Sequence, residues 1–228
     1  MSKHLSKEEL QTDPLIENYN KAANFFNENR TTILAILISV IVVVGALVGY
    51  NFYAANQEQE AQQLLAIAEG YYTEGDYDKA INGDSFELTY GFLAIANDYS
   101  GTEAGNLAIY YAAVSSFKLG NIEDAIEYFS RYDAPEGILG VGAISFNAKL
   151  FLANGSTEKA ADTFVKAANW DINDTTTPYN LYQAAEAYFE AGNFEKARQL
   201  SDQIIEEYPT SSELANAQKL QGKITVAS

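Results

Sequence analysis

The chain has 228 residues, no cysteine, one histidine and a net charge of -17. Without cysteine there is no disulfide, thiolate nucleophile or cysteine metal site, and a lone His4 near the start denies a Ser-His-Asp or Cys-His arrangement. So large an acidic excess repels nucleic acid and anionic lipid, and no nucleic-acid partner is expected.

Residues 1–12 are polar and predict a disordered start. Asp13 before Pro14 reads as an N-cap with proline at the first helical position, and Leu15, Ile16, Tyr19, Ala22, Ala23 and Phe26 recur at helical spacing. This predicts a short amphipathic helix, lying on the inner membrane surface or docking on a cytoplasmic partner.

The stretch "ILAILISVIVVVGALVGYNFY" at 33–53 is uncharged. At 1.5 Å per residue it makes about 31 Å of helix, close to the ~30 Å hydrocarbon core of a bilayer. A transmembrane helix is therefore expected over 31–55. A cleaved signal peptide fits poorly, because some 30 polar residues precede the run and Phe52 and Tyr53 stand where a small residue is needed before Ala54 and Ala55. Lys21 and Arg30 flank the near side, with Lys3 and Lys7 behind them, whereas the first cation beyond is Lys79, after Glu58, Glu60 and Glu69. That asymmetry sets the tail 1–30 in the cytoplasm and exports residues 56–228. Phe25 and Phe26 on one side, and Tyr50, Phe52 and Tyr53 on the other, take the places of interfacial aromatics. Within the span, Gly45 and Gly49 form a G-x-x-x-G pair that lets a second helix approach, with Ile41 and Val48 alongside; glycine also occurs in spans without such a role.

The exported part repeats itself. "GDYDKA" at 75–80, "GNIEDA" at 120–125, "GSTEKA" at 155–160 and "GNFEKA" at 192–197 each run from a glycine to an alanine, with glycine spacings of 45, 35 and 37 residues. Gly permits the left-handed turn that ends one helix, the next residue starts another, and Ala lets the two approach closely. Aromatic-rich helical patterns precede each Gly, and Pro209 lies twelve residues after Ala197. "DYSGTEAGNLA" at 98–108 and "EYPTSSELANA" at 207–217 echo one another. Over about 57–225 the chain resembles tetratricopeptide proteins. The first unit is stretched around "INGDSFELTYGF", and a capping helix near 211–226 closes the array and is a candidate dimer surface. The expected fold is all-α: an N-terminal amphipathic helix, one transmembrane helix, and a solenoid of about four helical pairs.

In such arrays the first helix of each pair lines a concave groove. Positions fifteen and eight residues before the repeat alanine place Leu65, Tyr72, Tyr110, Phe117, Tyr182 and Phe189 on that face. An aromatic groove rimmed by carboxylates suits a segment of another protein; packing between helices is the alternative use of the same residues.

Other motifs carry less. "GILGVG" at 137–142 follows Pro135 rather than a strand and reads as a tightly packed helix start, not a dinucleotide loop. "DINDTTTPYN" at 171–180 begins like a calcium loop, but Thr176 replaces the required Gly and Tyr182 the closing Glu. Paired acids such as Asp76 with Asp78 read as solubilising charge. No cofactor, metal, catalytic residue or small-molecule substrate is expected, and an enzyme built on carboxylates alone is the remaining reading of that class.

Phe25, Phe26, Glu28 and Asn29 just before the span, "GALVG" near its far end, and aromatics followed by Gln57 resemble the YfgM family. That resemblance implies a non-enzymatic accessory subunit of the bacterial Sec translocon, with a cytoplasmic tail, one span in the inner membrane and a periplasmic tetratricopeptide-like domain. It implies as partners the translocon's membrane subunits, a membrane-anchored periplasmic chaperone of the peptidyl-prolyl isomerase type, and exported client proteins. An inner-membrane scaffold for envelope assembly or cell division is the alternative.

Overall fold

The computed structural model describes residues 14–227, and every regular element among them is an α-helix. His4, the tail 1–12 and the expected N-cap Asp13 lie outside the described residues. The chain divides into two units, Met1–Asn56 and Gln57–Ser228.

Helix α1 spans Pro14–Glu74. The amphipathic stretch and the apolar stretch belong to one uninterrupted helix. Neither glycine nor proline occurs between Leu15 and Val44, so no residue there favours a helix end. By length and composition α1 is sufficient to cross a membrane, and none of its most apolar 18-residue window is buried.

In the second unit, residues 57–74 of α1 are followed by α2 (Tyr77–Asn82) and α3 (Phe92–Asp98). Then come the pairs α4 (Glu103–Lys118) with α5 (Ile122–Phe129), α6 (Ile138–Ala153) with α7 (Thr157–Ala168), and α8 (Thr176–Glu190) with α9 (Phe194–Glu207). A last helix, α10 (Leu214–Ala227), packs on α9.

All four repeat glycines adopt the left-handed conformation: φ is 84° at Gly75, 82° at Gly120, 74° at Gly155 and 78° at Gly192. Each closes its helix with the same two backbone bonds. In the last pair the Gly192 N–H donates to the Phe189 carbonyl at 3.0 Å and the Asn193 N–H to that of Tyr188 at 2.8 Å. This double closure satisfies carbonyls that a helix end leaves open. The repeat alanines Ala80, Ala125, Ala160 and Ala197 are all fully buried. A methyl group at the crossing lets the paired helices meet closely, and larger neighbours such as Phe164, Leu181 and Ile204 fill the remaining core.

The stretched first unit has a specific cause. Its second helix is interrupted between α2 and α3 by a loop stitched at its base. Backbone bonds and side chains tie Asp84 to Thr89: the Thr89 N–H donates to the Asp84 carbonyl at 3.0 Å, and the Asp84 N–H donates to Thr89 Oγ1 at 2.9 Å. Asp84 Oδ1 accepts the N–H groups of Phe86 at 2.8 Å and Glu87 at 3.2 Å, while Oδ2 meets Lys79 Nζ at 2.9 Å. Gly91 lies so close to Gly83 that a Cβ on it would fall 2.3 Å from the Gly83 nitrogen.

The Lys79 ammonium, followed by the two backbone donors, holds the Asp84 carboxyl below the ordinary aspartate range. Its contribution to the loop is therefore complete above the unfolded value of about 4 and is lost as pH falls through the lower folded value. We expect the Phe86 and Glu87 amide NMR resonances to titrate together below the ordinary aspartate range, and Asp84→Asn to abolish that transition.

Two substitutions test the repeat geometry by thermal denaturation of the full chain in detergent. Gly192→Ala places a Cβ at a left-handed position and should cost about 1 kcal/mol. Ala197→Leu overfills a closed crossing and should cost about 1–3 kcal/mol.

Candidate protein-interaction surface

The first helices of the pairs carry more aromatic side chains than the second helices. Local sequence explains the placement: each helix ends at a left-handed glycine, so residues counted back from that point keep a fixed rotation about the helix axis. Of the six groove candidates, Leu65 is 6% exposed and sits in the core with Phe92, Ile95 and Ala108. The other five are half-buried, with part of each ring on a neighbour and part open.

From Tyr72 to Phe117 those neighbours form a continuous line of rings. Tyr72 lies 5.6 Å from Tyr77 and 5.2 Å from Tyr111, between ring centroids. Tyr110 meets Tyr111, Tyr132 and Phe146 at 6.0, 5.4 and 5.8 Å, and Phe117 meets Phe146 edge-on at 5.7 Å. In the last pair Phe189 lies 5.4 Å from Phe194, and the Tyr182 hydroxyl donates to Glu186 Oε1 at 2.8 Å. Helix packing and partial exposure thus coexist at the same side chains.

Burial raises the phenol pKa values of Tyr110, Tyr111 and Tyr132. At Tyr182, burial and then the bond to Glu186 push it up to about 12. These phenols stay neutral at physiological pH, so the surface offers apolar rings with hydroxyl donors rather than acid–base groups. Among the described residues, no group of three His, Asp or Glu side chains is placed to hold a metal ion. Asn173, in the calcium-like loop, instead bonds locally: its Oδ1 accepts the N–H groups of Thr175 at 3.0 Å and Thr176 at 2.8 Å.

A cavity of about 690 Å³ opens between the N-terminal halves of α4 and α6. Leu107 and Tyr110 of α4 and Ile138, Leu139 and Gly142 of α6 line it, together with Tyr132. The lining residues Asn106, Asp133 and Pro135 are held by long-range bonds. Asn106 Nδ2 donates to the Asp133 carbonyl at 2.7 Å and the Asp133 N–H returns to Asn106 Oδ1 at 2.9 Å, while Trp170 Nε1 donates to the Pro135 carbonyl at 2.9 Å. Gly140 permits this close approach, since a Cβ there would lie 1.9 Å from the Pro135 oxygen. Of the six candidates, only Tyr110 lines the cavity. Leu107 and Gly142 were reachable from sequence one turn further back, eighteen residues before Ala125 and Ala160. Exposed Ile138 and Leu139 carried no such periodic signal.

Gly45 and Gly49 lie on one face of α1 with Ile41 and Val48. Ile41 and Val48 are exposed, and a Cβ added to either glycine meets no atom within 4 Å.

Paired helices closed by left-handed glycines and buried alanines define a tetratricopeptide-type array, the fold of a protein-interaction scaffold. The chain contains tetratricopeptide repeats: the model of that repeat matches residues 107–133 and 179–211. A comparison with curated proteins finds no match. Among solved structures, the chain is similar to nearly identical TPR-like repeats of a Podosopora anserina protein described as a putative kinesin light chain, at a TM-score of 0.52 and 15% identity, covering 73% of this chain and 89% of that one. A singly substituted form of those repeats gives a TM-score of 0.51 at 13% identity, covering 74% and 94%. Likeness at such identities concerns the fold alone.

A difference titration of tyrosine absorbance between the wild-type chain and Tyr182→Phe should isolate one phenol ionising at about 12 rather than 10. A difference centred at the ordinary value would contradict the burial and the Glu186 bond described above.

Proposed function

We propose that this protein is a membrane-anchored, non-enzymatic scaffold whose repeat unit binds other proteins on the exported side of the bacterial inner membrane. The observation that carries the reading is the union in one chain of an unburied apolar segment long enough to span a bilayer and an array of tetratricopeptide pairs. Lys21 and Arg30 close before the segment, against no cation after it until Lys79, support a cytoplasmic N-terminus.

Within that reading, the resemblance of residues 25–57 to the YfgM family favours a place beside the Sec translocon, with the isomerase-type chaperone and exported chains as further partners. The face of Gly45 and Gly49, with Ile41 and Val48, is the proposed contact for a translocon helix. Tyr72, Tyr110, Phe117, Tyr182 and Phe189 are the proposed contacts for protein segments, with Leu65 in the core beside Tyr72. The cavity beside Tyr110 is the proposed place on that surface for an apolar side chain.

The test compares the full-length protein with a form whose residues 31–55 are replaced by an unrelated apolar helix, both purified in mild detergent. Recovery of Sec subunits and a periplasmic isomerase with the native span alone is the expected result. Equal recovery of other envelope proteins by both forms, without Sec subunits, would reduce the span to a tether and favour the assembly or division scaffold. Gly45→Leu with Gly49→Leu should likewise lose the membrane partner while insertion is retained.

A further inference from the structure

The loop between α2 and α3 spends much structure on presenting two apolar side chains to solvent. Phe86 is 97% exposed and Leu88 85% exposed. Neither belongs to a core cluster, yet the backbone beneath them is braced on both sides. From the other side, the Tyr71 hydroxyl donates to Glu87 Oε2 at 2.8 Å and lies 3.2 Å from Thr89 Oγ1. Leu88 itself takes a left-handed φ of 54°, the one non-glycine to do so among the described residues. A γ-branched side chain is disfavoured there by about 1–2 kcal/mol, and glycine would relieve it. Folding alone gains nothing from a strained leucine pointed at water, so the geometry has the character of a held binding element.

We infer that Phe86 and Leu88 form a preorganised knob that inserts into an apolar pocket with a basic rim on a partner protein. Charge selects that occupant. Between residues 74 and 91 stand Glu74, Asp76, Asp78, Asp84 and Glu87 against the single cation Lys79, which is engaged with Asp84. The knob is thus an apolar tip in an acidic field. A second copy of this chain, carrying the same excess, and an anionic bilayer surface are both repelled by it, whereas Lys and Arg around an apolar pocket complement it. The proposal concerns a site separate from the aromatic helix surface and does not rest on the translocon reading.

The experiment places a photoreactive benzoyl-phenylalanine at position 86 of the full-length protein, produced in its own cells and irradiated there. The expected product is a discrete adduct to a different protein, with the cross-linked peptide in an apolar pocket bordered by Lys or Arg. Its yield should fall about tenfold when the outlying acids are reversed by Glu74→Lys with Asp78→Lys, neither of which belongs to the loop brace. Leu88→Gly separates binding from folding: it should reduce the adduct similarly while the thermal midpoint stays at or above that of the wild type. An adduct of twice the chain mass, a lipid adduct, no adduct, or a protein adduct indifferent to charge reversal would each overturn the proposal.

Discussion

A left-handed glycine followed five residues later by a fully buried alanine is the constraint from which the repeat unit is built. The glycine ends one helix with two backbone hydrogen bonds and reverses the chain without using a side chain. The alanine then brings the second helix so near the first that only a methyl group fits between them. With the crossing set this way, ring-bearing residues on the first helices meet rings on the neighbouring pair. The line from Tyr72 through Tyr111 and Tyr110 to Phe146 and Phe117 follows.

Charge and apolar surface are then segregated. Acidic side chains line the open face of α9, at Glu195, Asp202, Glu206 and Glu207, with Arg198 among them. Exposed apolar side chains include those of the span-length part of α1, Ile138 and Leu139 at the cavity, and Phe86 and Leu88 in the loop. Apolar patches on a chain so acidic mark where contact with something else lowers the free energy most. Raised phenol pKa values keep the half-buried tyrosines neutral, so they contribute as rings and donors.

Long-range polar contacts decide how successive pairs are joined. Glu58 accepts the N–H groups of Glu103 at 2.7 Å and Ala104 at 3.2 Å, so a carboxylate from α1 caps α4. Buried Ser145 donates to Asn180 at 2.6 Å between α6 and α8, and Lys196 reaches Tyr188 at 3.2 Å from α9. Tyr188 also bonds Asp162 on α7, tying three helices at one point. The Ser145–Asn180 bond satisfies polar groups that would otherwise be left open inside the helical stack.

The sequence by itself determined the helical class, the four turn positions and the buried alanines. These depend on local chemistry: a glycine's freedom at positive φ and the volume of a single side chain. It also marked the aromatic positions on the first helices, because helical rotation is regular, and the irregular stretch inside the first pair. Only the tertiary structure decided how those positions are used. Leu65 became core while Tyr110 reached a cavity, since burial depends on what the next pair brings against each residue. The cavity itself needs Asn106 with Asp133 and Trp170 with Pro135, partners 27 and 35 residues apart. The loop brace needs Tyr71 to reach Glu87 and Thr89, and no local periodicity encodes such meetings.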